Sequence, residues 1–364
     1  MFDSEVDSGL AKTIDFINSI MNESSEVIVD ESDSEEMNKI VIRNSIQPDS
    51  YRTFDPAQLG DSHSGFKLAA VDGGSHKILD AGSFILGTYR AGYLIFQDGK
   101  LVEDKIGSIK PQFISFSNLR EIYSKTFSKL IGDTPSEYPR QLHVVLERLR
   151  TFAEWERVQE LVNKLDDGDI ILIDGSLKAS INRLDVLFQS VLEKAVDKGI
   201  HFVGISKRST LRLNHMPLIP KVKKVGESQF AKKYWFCQIF EEEPEDTELE
   251  DDTADKGSSG QQFGKRYIVK YHPLTRFVFR TDVNRLEKRD PELLFSKIGQ
   301  YSSDPSYLGY PYPLADIHNQ VVITRALRDD MVYRLQGIAM EKGIGLGDWE
   351  DLFVDFHRIL DMNV

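Results

Sequence analysis

The chain has 364 residues, 40% of them hydrophobic and 28% charged, the balance of a globular protein with enough core to exclude water from a site. No run approaches the roughly 20 apolar residues of a membrane helix, and Met1-Phe2-Asp3-Ser4-Glu5 lacks the basic and apolar segments of a signal peptide, so a cytoplasmic protein is expected. The net charge of −13 and the single cysteine, Cys237, argue against a simple nucleic-acid binder, an intramolecular disulfide and a cysteine metal cluster.

Leu10, Ile14, Ile17 and Ile20 recur at helical spacing, which predicts a short amphipathic helix over 5–21. Residues 1–36 hold eleven acids and one base, and a polar stretch follows the helix. Residues 1–60 therefore read as an N-terminal helix with an acidic, flexible segment. Phe66 to Val71 is an apolar run closed by Asp72-Gly73-Gly74-Ser75, a buried strand ending in a glycine turn. Residues 83–96 form a second strand, Gln97-Asp98-Gly99-Lys100 a hairpin turn, and 101–109 a third strand. Helices are expected over 117–131 and 139–165. Asp169-Ile170-Ile171-Leu172-Ile173-Asp174 is a continuous apolar strand, as in a sheet covered on both faces.

A helix over 179–198 and a buried strand over 201–206 follow. Strands are expected at 233–240, 265–271 and 276–281, and helices at 313–336 and 348–361. Cys237 sits within the first of these later strands, in Tyr234-Trp235-Phe236-Cys237-Gln238-Ile239-Phe240, and reads as packing. Residues 241–255 hold ten acids and no base. That run, within 241–260, reads as a disordered acidic insertion. Taking both acidic segments away leaves the rest of the chain at +7. The expected domain order is 1–60, a catalytic domain over 61–340 carrying the insertion, and a C-terminal helix over 341–364.

A three-stranded meander followed by right-handed crossovers places the Asp174 strand parallel to the Asp72 strand. The expected fold class is α/β: a ribonuclease H-like mixed sheet flanked by helices, with extra C-terminal strands and helices. In such sheets sites lie at the carboxyl ends of strands. Side chains alternate along a strand, so Leu68, Ala70 and Asp72 share one face, as do Ile170, Leu172 and Asp174. On neighbouring strands the two carboxylates converge and repel unless a cation lies between them. A hard cation, Mg²⁺ or Mn²⁺, suits oxygen donors. Either aspartate alone reads equally well as a turn residue before glycine.

The 139–165 helix offers a third carboxylate. Glu154 aligns with Val158, Leu161 and Leu165, and an acid on an inward stripe needs a partner or a metal. Glu147 is the alternative; Glu156 and Glu160 read as salt-bridge residues. Arg150, at i−4, could simply pair with Glu154. His318 follows Gly309-Tyr310-Pro311-Tyr312-Pro313-Leu314 on the first turns of a helix, placed as a ligand or proton donor. Lys207 ends the 201–206 strand, where it could bind a phosphate or stabilise developing charge.

These segments, Ala70-Val71-Asp72-Gly73-Gly74-Ser75, the Arg150 to Glu154 helix, Ile171-Leu172-Ile173-Asp174-Gly175-Ser176-Leu177, Gly204-Ile205-Ser206-Lys207 and Gly309-Tyr310-Pro311-Tyr312-Pro313-Leu314, resemble the NurA nuclease family in order and span about residues 66–325. The resemblance implies a Mn²⁺-dependent nuclease (Mg²⁺ being the alternative, with two ions expected) acting on DNA ends and single strands. It also implies a homodimer and partnership with a HerA-type hexameric ATPase in DNA-end resection. By the same resemblance Asp72, Glu154 and Asp174 are metal ligands, His318 is a ligand or acid/base, and Tyr310 lines the site.

Two rivals compete with it. One is an actin-like or sugar-kinase-type ATPase, in which Asp72-Gly73-Gly74-Ser75 and Asp174-Gly175-Ser176 would be phosphate loops. The other is a non-catalytic adaptor of a DNA translocase, docking through the 5–21 helix.

Overall fold

The structure, a computed structural model, describes residues 50–60, 65–179, 183–209, 216–239 and 261–353, with 14, 181 and 211–213 besides. The expected acidic insertion at 241–260 and the expected helix over 5–21, apart from Ile14, lie outside the described residues, as do residues 354–361 of the last expected helix.

In chain order the principal elements are β1 (Tyr51–Phe54), β2 (Lys67–Asp80), β3 (Phe84–Gln97), β4 (Lys100–Ile106), β5 (Lys110–Ser115), α1 (Leu119–Ile131), α2 (Leu142–Lys164), β6 (Ile170–Asp174), β7 (Lys178–Ala179), α3 (Leu184–Asp197) and β8 (His201–Ser206). There follow α4 (Leu218–Phe230), β9 (Tyr234–Ile239), β10 (Gln261–Gln262), β11 (Gly264–Lys270), β12 (Phe279–Asn284), α5 (Pro291–Gln300), α6 (Tyr312–Val321), α7 (Arg325–Glu341) and α8 (Leu346–Phe353). The described residues cluster into two compact units, one within 63–174, 181–202 and 312–353, the other within 50–60, 175–179 and 203–311.

In the first unit β2 pairs antiparallel with β3 along its whole length and parallel with β6 over Leu68↔Ile170 to Val71↔Ile173. This is a mixed sheet. The outer side of β3 is shared, β5 taking its first half and β4 its second. The turn into β4 has Asp98 at φ 49° and Gly99 at φ 75°, the paired left-handed residues of a tight hairpin. Leu68, Ala69, Ala70, Ile170, Ile171 and Leu172 are all fully buried. Both faces of these strands are covered, which is why they read as unbroken apolar runs. The covering helix α2 presents Leu149, Phe152, Trp155, Val158 and Leu161 at helical spacing. Before it, α1 stops at Gly132, whose φ of 81° closes the last turn through Ser128 O.

Three sequence readings need correction in this unit. The first strand does not end at Val71 in a glycine turn, because β2 continues through Gly73 and Gly74 to Asp80. Its ladder with β3 carries it on, and the glycines serve close approach instead of a turn. The third strand stops at Ile106 and a further one, β5, returns along β3. The single helix expected over 313–336 is two. Helix α6 ends at Val321, and Thr324 accepts from Leu327 N as the cap of α7.

In the second unit β1, β9, β11, β12 and the Val203–Ser206 part of β8 run antiparallel in that order. Its core gathers Tyr51, Leu218, Val222, Trp235, Cys237 and Ile268. Cys237 is fully buried and burial pushes its thiol up to about 12, which leaves it a packing residue. Helices α4 and α5 are absent from the sequence reading. The latter begins with Asp290 as cap and Pro291 in its first turn. No helix among the described residues is long and apolar enough to cross a membrane.

Candidate metal centre

The parallel ladder ends at Val71↔Ile173, so Asp72 and Asp174 are the next residues on adjacent strands. Leu68 faces Ile170 and Ala70 faces Leu172 across it. Alternation from these pairs puts both aspartates on one face. Beyond Asp174 the edge of β2 is uncovered by β6, and side chains from the two flanking helices reach this notch.

From one side comes His318. It stands in the last turn of α6, not on the first turns as the sequence suggests, because that helix is only ten residues long. Its Nδ1 lies 2.8 Å from Asp72 Oδ2. A carboxylate oxygen can only accept, so this contact places the proton on Nδ1. The other carboxylate oxygen, Oδ1, accepts from Gly73 N at 2.7 Å. Asp72 is 6% exposed while the His318 side chain is 47% exposed, so the pair runs from the interior to solvent. One donor atom each from Asp72, Asp174 and His318 lie within 4.8 Å of one another.

From the other side comes α2. A Cβ on Gly73 would stand 2.5 Å from Glu154 Oε1, so only glycine lets this carboxylate approach the strand. Glu154 pairs with Arg150 at 3.1 Å, and Arg150 also donates to Gly73 O at 3.2 Å. Burial pushes the Glu154 carboxyl up to about 7, against the pull of Arg150 and with the repulsion of Asp72 and Asp174 added. Glu154 therefore senses both aspartates. Glu147 is exposed, Glu156 pairs with Lys129, and Glu160 is taken by Lys105 and Arg157.

Lys207 and Tyr310 lie in the second unit. They meet there, with Lys207 Nζ 5.9 Å from the centre of the Tyr310 ring. Tyr310 is buried against Phe279, their ring centres 5.2 Å apart.

Two contributors are missing from the sequence reading. Arg90, opposite Gly74 on β3, donates to Val321 O at 3.0 Å and Val322 O at 2.9 Å. A Cβ on Gly74 would stand 2.2 Å from that same Val321 carbonyl. Together they seat the end of α6, and with it His318. An arginine inside the otherwise apolar Ile85–Phe96 run was the available signal. The Asp72-Gly73-Gly74-Ser75 segment is strand throughout, and Gly175-Ser176 leads into β7 and not into a helix. Neither is a phosphate loop at a helix start, so the ATPase rival loses its motif.

A mixed sheet with helices on both faces, and acids converging where a parallel ladder ends, define a ribonuclease H-like α/β fold with a cation-type donor cluster. The chain is similar to the NurA nuclease of Sulfolobus solfataricus, at 17% identity and a TM-score of 0.52 over 95% of this chain and 99% of that one. Human ENDOV (12% identity, 75% and 86% covered, TM-score 0.34) and a Ciona intestinalis endonuclease V in complex with DNA (11%, 80% and 93%, 0.37) overlay too loosely to bear on it. No curated protein matches the sequence. Residues 66–214 match the NurA domain family.

Proposed function

We propose that the chain is a metal-dependent DNA nuclease whose centre is Asp72, Glu154, Asp174 and His318. The observation that supports it is the convergence of Asp72, Asp174 and His318 donor atoms within 4.8 Å, with a glutamate whose carboxyl burial raises and the charge of the two aspartates raises further. Such crowding of acids fits a cation. Carboxylates with one imidazole suit Mn²⁺, with Mg²⁺ the alternative, and two ions are proposed. When bound, the metal would polarise a phosphodiester and lower the pKa of a water.

The chain's own residues hold the arrangement. Gly73 N and His318 fix the two oxygens of Asp72. Arg150 orients Glu154. With Nδ1 engaged, His318 keeps Nε2 to ligate or to carry a proton to and from the solvent side. Lys207, over the Tyr310 ring, is proposed to bind phosphate. The +7 charge outside the two acidic segments would hold the DNA backbone with little sequence preference.

A nuclease domain over 61–340, a homodimer, a HerA-type hexameric ATPase partner, a role in DNA-end resection and a cytoplasmic location complete the proposal, and these rest on the family resemblance. Light scattering should give twice 41.5 kDa, and the chain should co-elute with such an ATPase; a monomer that never co-elutes would remove the assembly part alone. The activity itself is tested by incubating the protein with single- and double-stranded DNA. Cleavage with Mn²⁺ and none in EDTA is expected. DNA bound but intact under every metal would favour the adaptor reading.

A further inference from the structure

In the second unit a row of aromatic rings runs from the interior to solvent beside Lys207. Tyr310 is buried, the Phe279 ring centre lies 5.2 Å from it, and the Phe277 ring centre a further 6.5 Å on. Phe277 is 51% exposed. Lys207 Nζ stands 5.9 Å from the centre of the Tyr310 ring, and the Arg276 guanidinium 4.9 Å from that of Phe277. The loop between β11 and β12 that carries Phe277 is held from within. Phe277 N donates to Thr275 Oγ1 at 3.2 Å, and Leu274 N to His272 Nδ1 at 3.2 Å. A Cβ on Gly309 would stand 2.6 Å from Thr275 Cγ2, so glycine there lets the Tyr310 segment close on this loop.

A single exposed phenylalanine is ordinary. This one ends a row of rings among segments of one charge sign. Residues 205–209, 272–279 and 305–311, which meet at these contacts, hold Lys207, Arg208 and Arg276 and no acid, in a chain of net −13. The acids that flank them in sequence are engaged, Asp282 by Arg280 and Asp304 as the cap of Ser306 N. Rings that take bases, with cations beside them for phosphates, make a surface suited to a single nucleic-acid strand. The chain ties this surface to Asp174. Gly175, the residue after Asp174, donates to Ile205 O at 3.0 Å. Ile205 pairs with Thr281, and two residues further on, one past each, stand Lys207 and Phe279. At about 3.3 Å per strand residue that step is roughly 7 Å.

We propose that Phe277, with the Arg276 guanidinium on its ring, stacks an unpaired base of the DNA strand whose phosphate Lys207 binds. The proposal deepens the nuclease reading and rests on it for the identity of the strand.

The test is fluorescence anisotropy in EDTA, where metal-dependent cutting cannot interfere. The labelled ligands are a deoxythymidine oligomer, a strand of the same length made of abasic sites, and a blunt duplex. The proteins are the full chain and its Phe277→Ala, Phe277→Trp and Tyr333→Ala variants, Tyr333 being an exposed ring of the first unit. Loss of one base stack should weaken binding of the oligomer by roughly 5- to 150-fold in Phe277→Ala. The same variant should bind the abasic strand and the duplex as the parent does. Phe277→Trp should hold the oligomer at least as tightly as the parent, Tyr333→Ala should match the parent, and all should melt alike. Parental affinity of Phe277→Ala for the oligomer, an equal loss on the abasic strand, an equal loss in Tyr333→Ala, or no binding by the parent would each overturn the proposal. A chain that cuts no DNA under any metal yet shows the Phe277-dependent preference for unpaired bases would sink the nuclease reading and leave the stacking site standing.

Discussion

At Glu154 an acid is pressed against the backbone of a strand that also carries Asp72. Its carboxyl is raised from 4.5 to about 7, mainly by burial. A carboxyl that binds its proton more tightly folded than unfolded adds stability at low pH. That stability is lost as pH rises from about 4.5 to about 7. In EDTA the melting temperature should therefore fall across this window, by the equivalent of up to about 3 kcal/mol. Glu154→Gln should flatten that slope, and an unaltered slope in the variant would show that Glu154 is not the group responsible. The pairing of Asp72 with Asp174 was legible in the sequence, because alternation along two apolar runs fixes which side chains share a face. The place of Glu154 was legible only as one of several acids on a helix. What singles it out is Gly73 beneath it, a tertiary approach that no helical period records.

Helix α6 carries His318 and is seated by backbone contacts more than by its own cap. Arg90 holds the carbonyls of Val321 and Val322, and Gly74 makes room for the first of them. Arg90→Ala should cost roughly 1.5–3 kcal/mol, the usual range for hydrogen bonds to a charged group, and lower kcat more than it raises the KM for DNA. Gly74→Ala should do the same by pushing the helix end away. Full turnover by both variants, measured on a short DNA substrate, would detach the seating of α6 from activity. The hairpin at Asp98-Gly99 and the strand at 201–206 were readable from local chemistry alone. The extension of β2 and the break at 322–324 were not. The first is decided by a long antiparallel partner and the second by where α6 meets β2.

Over the whole molecule, charge is divided by segment: two acidic stretches of net −10 each and a remainder of +7. The strands flanking 241–260 have their own pairings, Ile239↔Arg266 on one side and Gln261↔Ala179 on the other. Replacing 241–260 by a short Gly-Ser linker should leave folding and cleavage largely intact, as followed by circular dichroism and by DNA digestion. Failure to fold would show that the acidic run is structural. The mixed sheet of the first unit was legible from the order of elements, whereas helices α4 and α5 of the second were not read, although Leu218 and Val222, and Leu294, Phe295 and Ile298, recur at helical spacing. The two aspartates carry the proposed chemistry. Mn²⁺-dependent cleavage of single-stranded DNA by the parent chain, set beside Asp72→Asn and Asp174→Asn variants of unchanged circular dichroism, tests it most directly. The expected result is loss of cleavage in both variants with DNA binding kept; cleavage at the parental rate by either would contradict it.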